Sequence, residues 1–270
     1  MHPVDALTQA VYYLDRELAP SSKARAFLRA AEVVSQLDDD ELMARVDAGT
    51  LTELDGIGPS TAQVITEAVR GVSDGYLAKL ERRSRLPIGD GAEVRAALRG
   101  DCHLHSTWSD GGASVRAMAQ TAIDLGHQYM VLTDHSARLT VAHGLNEERL
   151  RAQLDEVRAL NEELAPFRIL TGMEVDILED GSLDLSEEML AELDLVVASV
   201  HSKMRMPKED MTRRMVLAVA SPHVDVLGHC TNRKIVGTGR APSKFDAEIV
   251  FAACARFGTA VEINCRPERQ

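Results

Sequence analysis

The chain lacks any apolar run approaching the ~20 residues needed to cross a bilayer. Its N-terminus also lacks a basic segment followed by an apolar one. These absences exclude a membrane span and a secretory leader and point to a cytoplasmic protein. Its four cysteines, Cys102, Cys230, Cys254 and Cys265, include no C-x-x-C pair. That argues against a disulfide framework and a cysteine-type zinc site, and in favour of free thiols in a reducing compartment. An excess of cations is missing too: the formal charge is −12, which disfavours gripping nucleic acid by bulk electrostatics and leaves only local contacts. There is no internal repeat at a solenoid period and no low-complexity tract.

What is present is a 270-residue chain, 45% hydrophobic, long enough for one large domain or two unequal ones. Two regions differ in grammar. From Pro3 to about Arg85 the spacing is helical, with Ala6, Ala10, Tyr13 and Leu14, then Ala26, Ala30, Val33, Val34 and Leu37, recurring at three and four residues. Asp38-Asp39-Asp40-Glu41 reads as a helix start, because the N-terminal dipole favours acidic residues. Turn formers follow in Leu86-Pro87-Ile88-Gly89-Asp90-Gly91. The expected organisation is an all-α domain over 1–86, a linker over 87–99, and an α/β domain over 100–270.

Beyond Gly100, short apolar runs alternate with amphipathic stretches. Strands are expected near Asp101–His105, Tyr129–Asp134, Phe167–Ile177, Asp194–His201, Val224–His229 and Thr259–Asn264. Helices are expected at Val115–Leu125, Glu147–Leu164, Ser186–Glu192, Lys208–Ala220 and Asp246–Phe257. Alternation of this kind implies parallel pairing with right-handed crossovers, in six βα units rather than the eight of a closed barrel.

Nearly every expected strand ends in a group that can hold a metal. In Asp101-Cys102-His103-Leu104-His105, alternation puts His103 and His105 on one face. Later strands end in Thr133-Asp134-His135, Gly172-Met173-Glu174-Val175-Asp176, Ser199-Val200-His201 and Gly228-His229. In parallel α/β folds these C-terminal ends meet on one face. Glu174, the carboxylate at a central strand end, is the natural bridge between ions. Lone histidines are usually structural or exposed, and His2, His127 and His223 are read that way. His143 falls in a loop after the second strand and is read as a surface residue sooner than as a substrate contact. Imidazole with carboxylate suits Zn²⁺, Mn²⁺ or Fe²⁺ rather than Mg²⁺ or Ca²⁺. Paired ions of this type activate hydroxide for in-line attack at phosphorus, which points to phosphate-ester hydrolysis. Arg233 and Arg266, near the ends of the fifth and sixth strands, are candidates to grip the phosphate.

These residues resemble the PHP (polymerase and histidinol phosphatase) domain family from Asp101 to about Arg269. The resemblance rests on His103, His105, Ser106, Ser109, Asp110 and Gly111, on Thr133-Asp134-His135-Ser136, on Gly172-x-Glu174, on Ser199-x-His201-Ser202 and on Gly228-His229. It implies a distorted seven-stranded (β/α) barrel binding two to three metals. By position, His103, His105 and Glu174 would hold the first ion, Glu174, His201 and His229 the second, and Asp110 with His135 the third. It further implies a last strand whose Asp-x-His pair completes the first and third sites. The chain stops at Gln270, and truncation is the reading adopted, since an open sheet edge would expose unpaired backbone and apolar surface. Cys102 and Cys230 stand where the family has an aliphatic residue and a proline, and are expected near the metals.

In the N-terminal region, Leu51 to Ala62 reads as a short helix, a Gly56-Ile57-Gly58 turn and a second helix from about Pro59. It resembles a helix-hairpin-helix, and the region as a whole resembles the small DNA-binding domain of family X DNA polymerases. That implies DNA-backbone contact at Gly56, Ile57, Gly58, Ser60 and Thr61. Such a turn also serves as a plain packing connector, and residues 1–90 carry ten Lys and Arg against fifteen Asp and Glu, a balance of −5. No segment houses a polymerase palm. Three functions follow: a phosphoesterase acting on gapped or blocked DNA ends as a 3′-phosphatase or 3′–5′ exonuclease, a small-molecule phosphatase of the histidinol-phosphate type, or a non-catalytic DNA-binding scaffold with a structural metal. In the first two, Glu174, His201 and His229 would act through the metal-activated hydroxide.

Overall fold

Caps and apolar spacing set the N-terminal helices. In the computed structural model, which describes residues 1–85, 91–235, 239–264 and 266, the chain divides into two units, Met1–Glu93 and Val94–Gln270. In the first unit, α1 (Pro3–Arg16) starts where His2 accepts from the Val4 N–H, and Pro3 brings a preset φ. Then comes α2 (Ser21–Ser35), and α3 (Asp39–Ala48) starts at Asp38, whose carboxylate accepts from the Glu41 N–H at 2.7 Å. It ends at Gly49, whose φ of 70° suits a residue without a side chain. The unit is completed by α4 (Pro59–Val69) and α5 (Tyr76–Arg83).

Leu7 and Leu14 of α1, Phe27 and Val34 of α2, Ile65 of α4 and Leu80 of α5 form one core. The buried stripe of α2 runs through Phe27, Ala30, Ala31 and Val34, whereas Ala26 is exposed. The expected stripe was therefore rotated by one residue: Phe27 has the larger apolar surface to hide.

Between α3 and α4, Leu51–Glu53 forms a 3-10 turn and Gly56 takes φ 95°. A side chain at Gly56 would meet Arg29 and Val33 at 3.0–3.2 Å. Gly58 then begins α4, its N–H donating to the Thr61 hydroxyl at 2.9 Å.

The six-residue helix α6 (Ala92–Ala97), which begins at the end of the first unit, leads into the sheet and lies within the stretch expected as a linker; positions Leu86 to Asp90 lie outside the described residues, as do Cys265 and Pro267. Six parallel strands follow in chain order: β1 (Gly100–Leu104), β2 (Tyr129–Leu132), β3 (Arg168–Asp176), β4 (Leu195–Ser199), β5 (Val226–Leu227) and β6 (Ala260–Val261). The helices α7 (Val115–Asp124), α8 (Glu147–Glu163), α9 (Glu187–Leu190), α10 (Lys208–Val219) and α11 (Ala247–Phe257) occupy the crossovers. This is the expected distorted (β/α) barrel architecture with six units, curled because adjacent parallel strands twist. No helix among the described residues is long and apolar enough to cross a membrane.

Alternation sorts the side chains. Met130 and Leu132 of β2, Met173 and Val175 of β3, and Val196 and Ala198 of β4 pack in the helix-side cores. Val131, Thr133, Gly172, Glu174, Val197 and Ser199 face the other way, into a narrow interior. The glycines there are required by space. A Cβ on Gly228 would sit 2.2 Å from Ser199 Oγ and 2.9 Å from Val197 Cγ1, and one on Gly172 would meet the Leu195 carbonyl at 2.7 Å. Gly228→Ala should therefore destabilise this unit by about 1–3 kcal/mol through overpacking. A melting-temperature series reads this directly, and an unshifted transition would show that the interior has slack.

Candidate metal centre

The C-terminal strand ends place five imidazoles around one carboxylate. Glu174, at the end of β3 and only 1% exposed, turns Oε2 toward His103 Nε2 at 3.2 Å, His105 Nε2 at 3.4 Å and His135 Nδ1 at 3.0 Å. Its Oε1 faces His201 Nε2 at 3.2 Å and His229 Nε2 at 3.0 Å. The rings close a circuit in strand order: centroids are 5.3 Å apart for His103–His105, 4.4 Å for His105–His135, 5.0 Å for His135–His201, 5.4 Å for His201–His229 and 5.8 Å for His229–His103. Register shifts between Asp101 and Leu104 of β1, and the His103 N–H bonds the Asp101 carboxylate instead of the ladder. Such an irregularity re-aims side chains at a strand end.

These contacts have hydrogen-bond lengths but not hydrogen-bond alignment. Both oxygens of Glu174, with His103 Nε2, His105 Nδ1, His135 Nδ1, His201 Nδ1 and His229 Nδ1, are buried without a hydrogen-bond partner. Orphaned polar atoms of this kind carry a desolvation cost that a cation among them would offset. Two groups have ligand atoms mutually within 4.8 Å: His103 with Glu174 and His229, and His105 with His135 and Glu174. Glu174 belongs to both, as a bridging carboxylate should. Distance thus groups His229 with His103, whereas the family resemblance grouped His103 with His105 and His201 with His229. Asp110, 51% exposed, lies 3.6 Å from His135 Nε2 and 3.8 Å from His105 Nδ1 at the open edge of the ring. Nitrogen with carboxylate oxygen is a donor set that fits Zn²⁺, Mn²⁺ or Fe²⁺.

Two supporting carboxylates escaped the sequence reading. Glu262, just past β6, lies 3.3 Å from His103 Nδ1 and accepts from the His229 N–H at 2.6 Å. Asp176 lies 3.5 Å from His201 Nδ1 and accepts the His201 N–H at 3.0 Å. Each backs the nitrogen opposite the one aimed at Glu174, the usual way of fixing a ligand's tautomer and ring plane. Asp176 was legible as the residue two beyond Glu174 on the same strand face; Glu262 lies within the expected sixth strand, just past the two-residue β6 of the structure, and no histidine beside it in sequence marked it. Asp134, fully buried, accepts from the N–H and hydroxyl of both Ser106 and Ser109 and from Gln153. It ties the loop after β1, which carries Asp110, to β2. Arg214 of α10, also buried, donates to the Ile177 and Ser202 carbonyls, fastening the segments beside Asp176 and His201.

Burial opposes protonation of His103 and His201, but their carboxylates prevail. Glu174 and Glu262 push His103 up to about 10, and Asp176 and Glu174 push His201 up to about 9. Burial pushes His105 down to about 4. Although burial resists ionisation of Glu174, the surrounding imidazoles hold its carboxyl well below the usual range.

Other expected residues lie apart from the ring. Arg233 and Arg266 are exposed, with backbone N–H groups donating to Thr231 and Asn264. His143, exposed and at φ 54°, lines a cavity of about 470 Å³ with Trp108, Thr140 and Arg149. Cys230 packs in the helix-side core rather than toward the ring, and burial raises its thiol. Cys102 pairs with Tyr129. His2 caps α1. In the first unit, Ile57 and Thr61 are buried, leaving Ser60 and Thr61 to offer backbone N–H groups in the first turn of α4.

Comparison with known proteins places this geometry. Residues 101–264 match the PHP domain family. A stretch of 172 residues, 64% of this chain, is 45% identical to the DNA polymerase/3′-5′ exonuclease PolX of Bacillus subtilis, covering 30% of that protein. A stretch of 170 residues, 61% of the chain, is 32% identical to a probable phosphatase of Thermoanaerobacter sp. (strain X514), covering 63% of it. The chain thus spans less than two thirds of the length of either relative.

Protons and metal compete for this ring. The two raised imidazoles, at about 10 and about 9 against an ordinary 6.5, stabilise the metal-free fold fully below pH 6.5 and lose that contribution as pH rises through 9 and 10. Metal must displace those protons, so affinity for Mn²⁺ or Zn²⁺ should climb about tenfold or more per pH unit from 6.5 to 9. Glu262→Gln should weaken metal binding about 10–100-fold. Calorimetric titrations across pH measure both, and a pH-independent Kd would refute the protonated ring.

Proposed function

Because the chain belongs to the PHP domain family over residues 101–264, we propose that the Glu174-centred ring makes it a metal-dependent phosphoesterase acting on DNA ends as a 3′-phosphatase or 3′–5′ exonuclease. The observation that carries this reading is the convergence of five imidazoles on a buried carboxylate whose oxygens have no hydrogen-bond partner. His103, His105, Asp110, His135, Glu174, His201 and His229 are the residues that would hold two to three divalent ions. When bound, such ions lower the pKa of water and polarise a phosphoryl oxygen.

The chain's own groups supply the rest. Glu174 keeps its negative charge at any ordinary pH and spans both halves of the ring. Glu262 and Asp176 hold His103 and His201 in orientation from behind. The narrow interior below the ring, filled by Val131, Thr133, Val197 and Ser199, excludes water from that side, so substrate approaches from the loop face. Arg233 and Arg266 are proposed to meet the phosphate there as guanidinium donors.

A DNA-directed substrate is supported by the helix-hairpin-helix reading of residues 1–86. The first turn of α4 presents N–H groups at Ser60 and Thr61 to a phosphate, while Gly56, Ile57 and Gly58 shape the turn. The likeness to a protein named as a polymerase and 3′-5′ exonuclease points the same way. A second reading, a phosphatase of small esters, is favoured by the likeness to proteins named as probable phosphatases. The two separate on a substrate panel. With Mn²⁺ added, the protein should release phosphate or nucleotides from 3′ ends of gapped DNA in preference to small monoesters. His229→Ala and His201→Ala should each lower kcat/KM at least 100-fold. Turnover of small esters alone would favour the second reading, and no turnover with any ester would leave only a scaffold with a structural metal.

A further inference from the structure

We propose that the loops following β4 and β5 form a cationic ledge that seats the phosphodiester backbone of a nucleic-acid strand whose end lies at the Glu174 ring. The inference rests on the DNA-end reading above and adds which side of the mouth the strand crosses. In a chain with a formal charge of −12, residues 200–207 and 228–245 contain Lys203, Arg205, Arg233, Lys234, Arg240 and Lys244 and not one Asp or Glu. All six are exposed. None has a carboxylate partner among the described residues, unlike Arg116, Arg151, Arg158 and Lys208. Exposed Arg95, Arg138, Arg168, Arg213 and Arg256 also lack one but are scattered. What sets the six apart is their grouping in two cross-tied loops that contain no acidic residue, and such a cluster is suited to an anion from outside.

The ledge is built, not a chance collection of flexible chains. Ser243, 7% exposed, donates its hydroxyl to the Met204 carbonyl at 3.0 Å and its N–H to the Thr231 carbonyl at 2.8 Å, joining the two loops. Arg240 reaches Met204 Sδ at 3.2 Å, and Lys234 and Arg240 exchange backbone hydrogen bonds at 3.0 and 2.7 Å. Lys203 holds a left-handed φ of 51° and Asn232 one of 53°.

The position is as telling as the charge. Lys203 and Arg205 follow His201 by two and four residues, and Arg233 and Lys234 follow His229 by four and five, so both arms of the ledge leave from ring members. On the neighbouring side of β4, the loop after β3 has the opposite sign, with Glu179, Asp180 and Asp184 and no cation between Ile177 and Ser186. A polyanion is attracted over β4 and β5 and repelled from the β3 side. A small monoester needs only the ring and its nearest donor. Six exposed cations in two cross-tied loops fit a ligand with several phosphates in a row.

Binding of a fluorescent 3′-phosphorylated single-stranded DNA oligonucleotide to the full chain tests this without requiring turnover. Wild-type affinity should fall with salt, by a slope of about 0.7 in log K per phosphate neutralised. Lys203→Gln, Arg205→Gln, Lys234→Gln and Lys244→Gln combined should reduce that slope by about 2 to 3 and weaken binding at least tenfold at 50 mM salt. The same variant should lower the ratio of kcat/KM for the oligonucleotide to that for a small phosphate monoester at least tenfold. An unchanged slope and ratio would overturn the ledge, leaving DNA contact to the N-terminal turn. Absence of turnover by wild type on every ester would instead defeat the phosphoesterase reading, while the binding slopes still decide the ledge.

Discussion

Everything at the mouth of the sheet depends on one interaction, the burial of the Glu174 carboxylate amid imidazoles from four other strand ends. A carboxylate with almost no exposure costs several kcal/mol unless positive charge or well-aimed donors surround it. Here the compensation comes from His103, His105, His135, His201 and His229. For His103 and His201, protonation is in turn favoured by Glu174 together with Glu262 and Asp176 respectively. The acidic and basic groups therefore support one another in two layers. Removing the central one would leave five buried rings without a common partner.

Most of this was legible because strand geometry is regular. Period-two alternation put His103 and His105 on one face, and parallel pairing brought residues more than a hundred positions apart to one edge. The parts that were not legible depend on distances that spacing does not encode. His103 and His229 come within 5.8 Å of each other because the sheet curls and brings the end of β5 back toward that of β1. Glu262 lies inside the sixth expected strand, but nothing in its spacing marks it as a partner of His103. Residues 92–97 read as linker for lack of an apolar stripe, yet Ala and Glu are strong helix formers and a short helix forms with no buried residue. In α2, Ala26 and Phe27 compete for the same inward direction, and the larger surface wins.

The mouth is also unequal in what surrounds the ring. The β1 and β2 side has the Asp110 edge and the Trp108 and His143 cavity, the β3 side is acidic, and the β4 and β5 side is basic and cross-tied. Overall net charge conceals this. A value of −12 describes the field far from the molecule, whereas within a Debye length of about 8–10 Å the local loops set the sign a ligand meets. Total charge alone therefore does not decide whether a local contact with a polyanion forms.

The closed order of the imidazole ring has a consequence for the sheet. Neighbours in the ring come from one strand or from strands at most two apart in the sheet, except at the closing step, where His229 meets His103 across 126 positions of chain. An ion shared there would bind the two ends of the sheet only where the fold has already brought them together, so it would favour the closed arrangement by mass action. Occupancy of the centre and the register of the sheet's two ends would then be linked quantities.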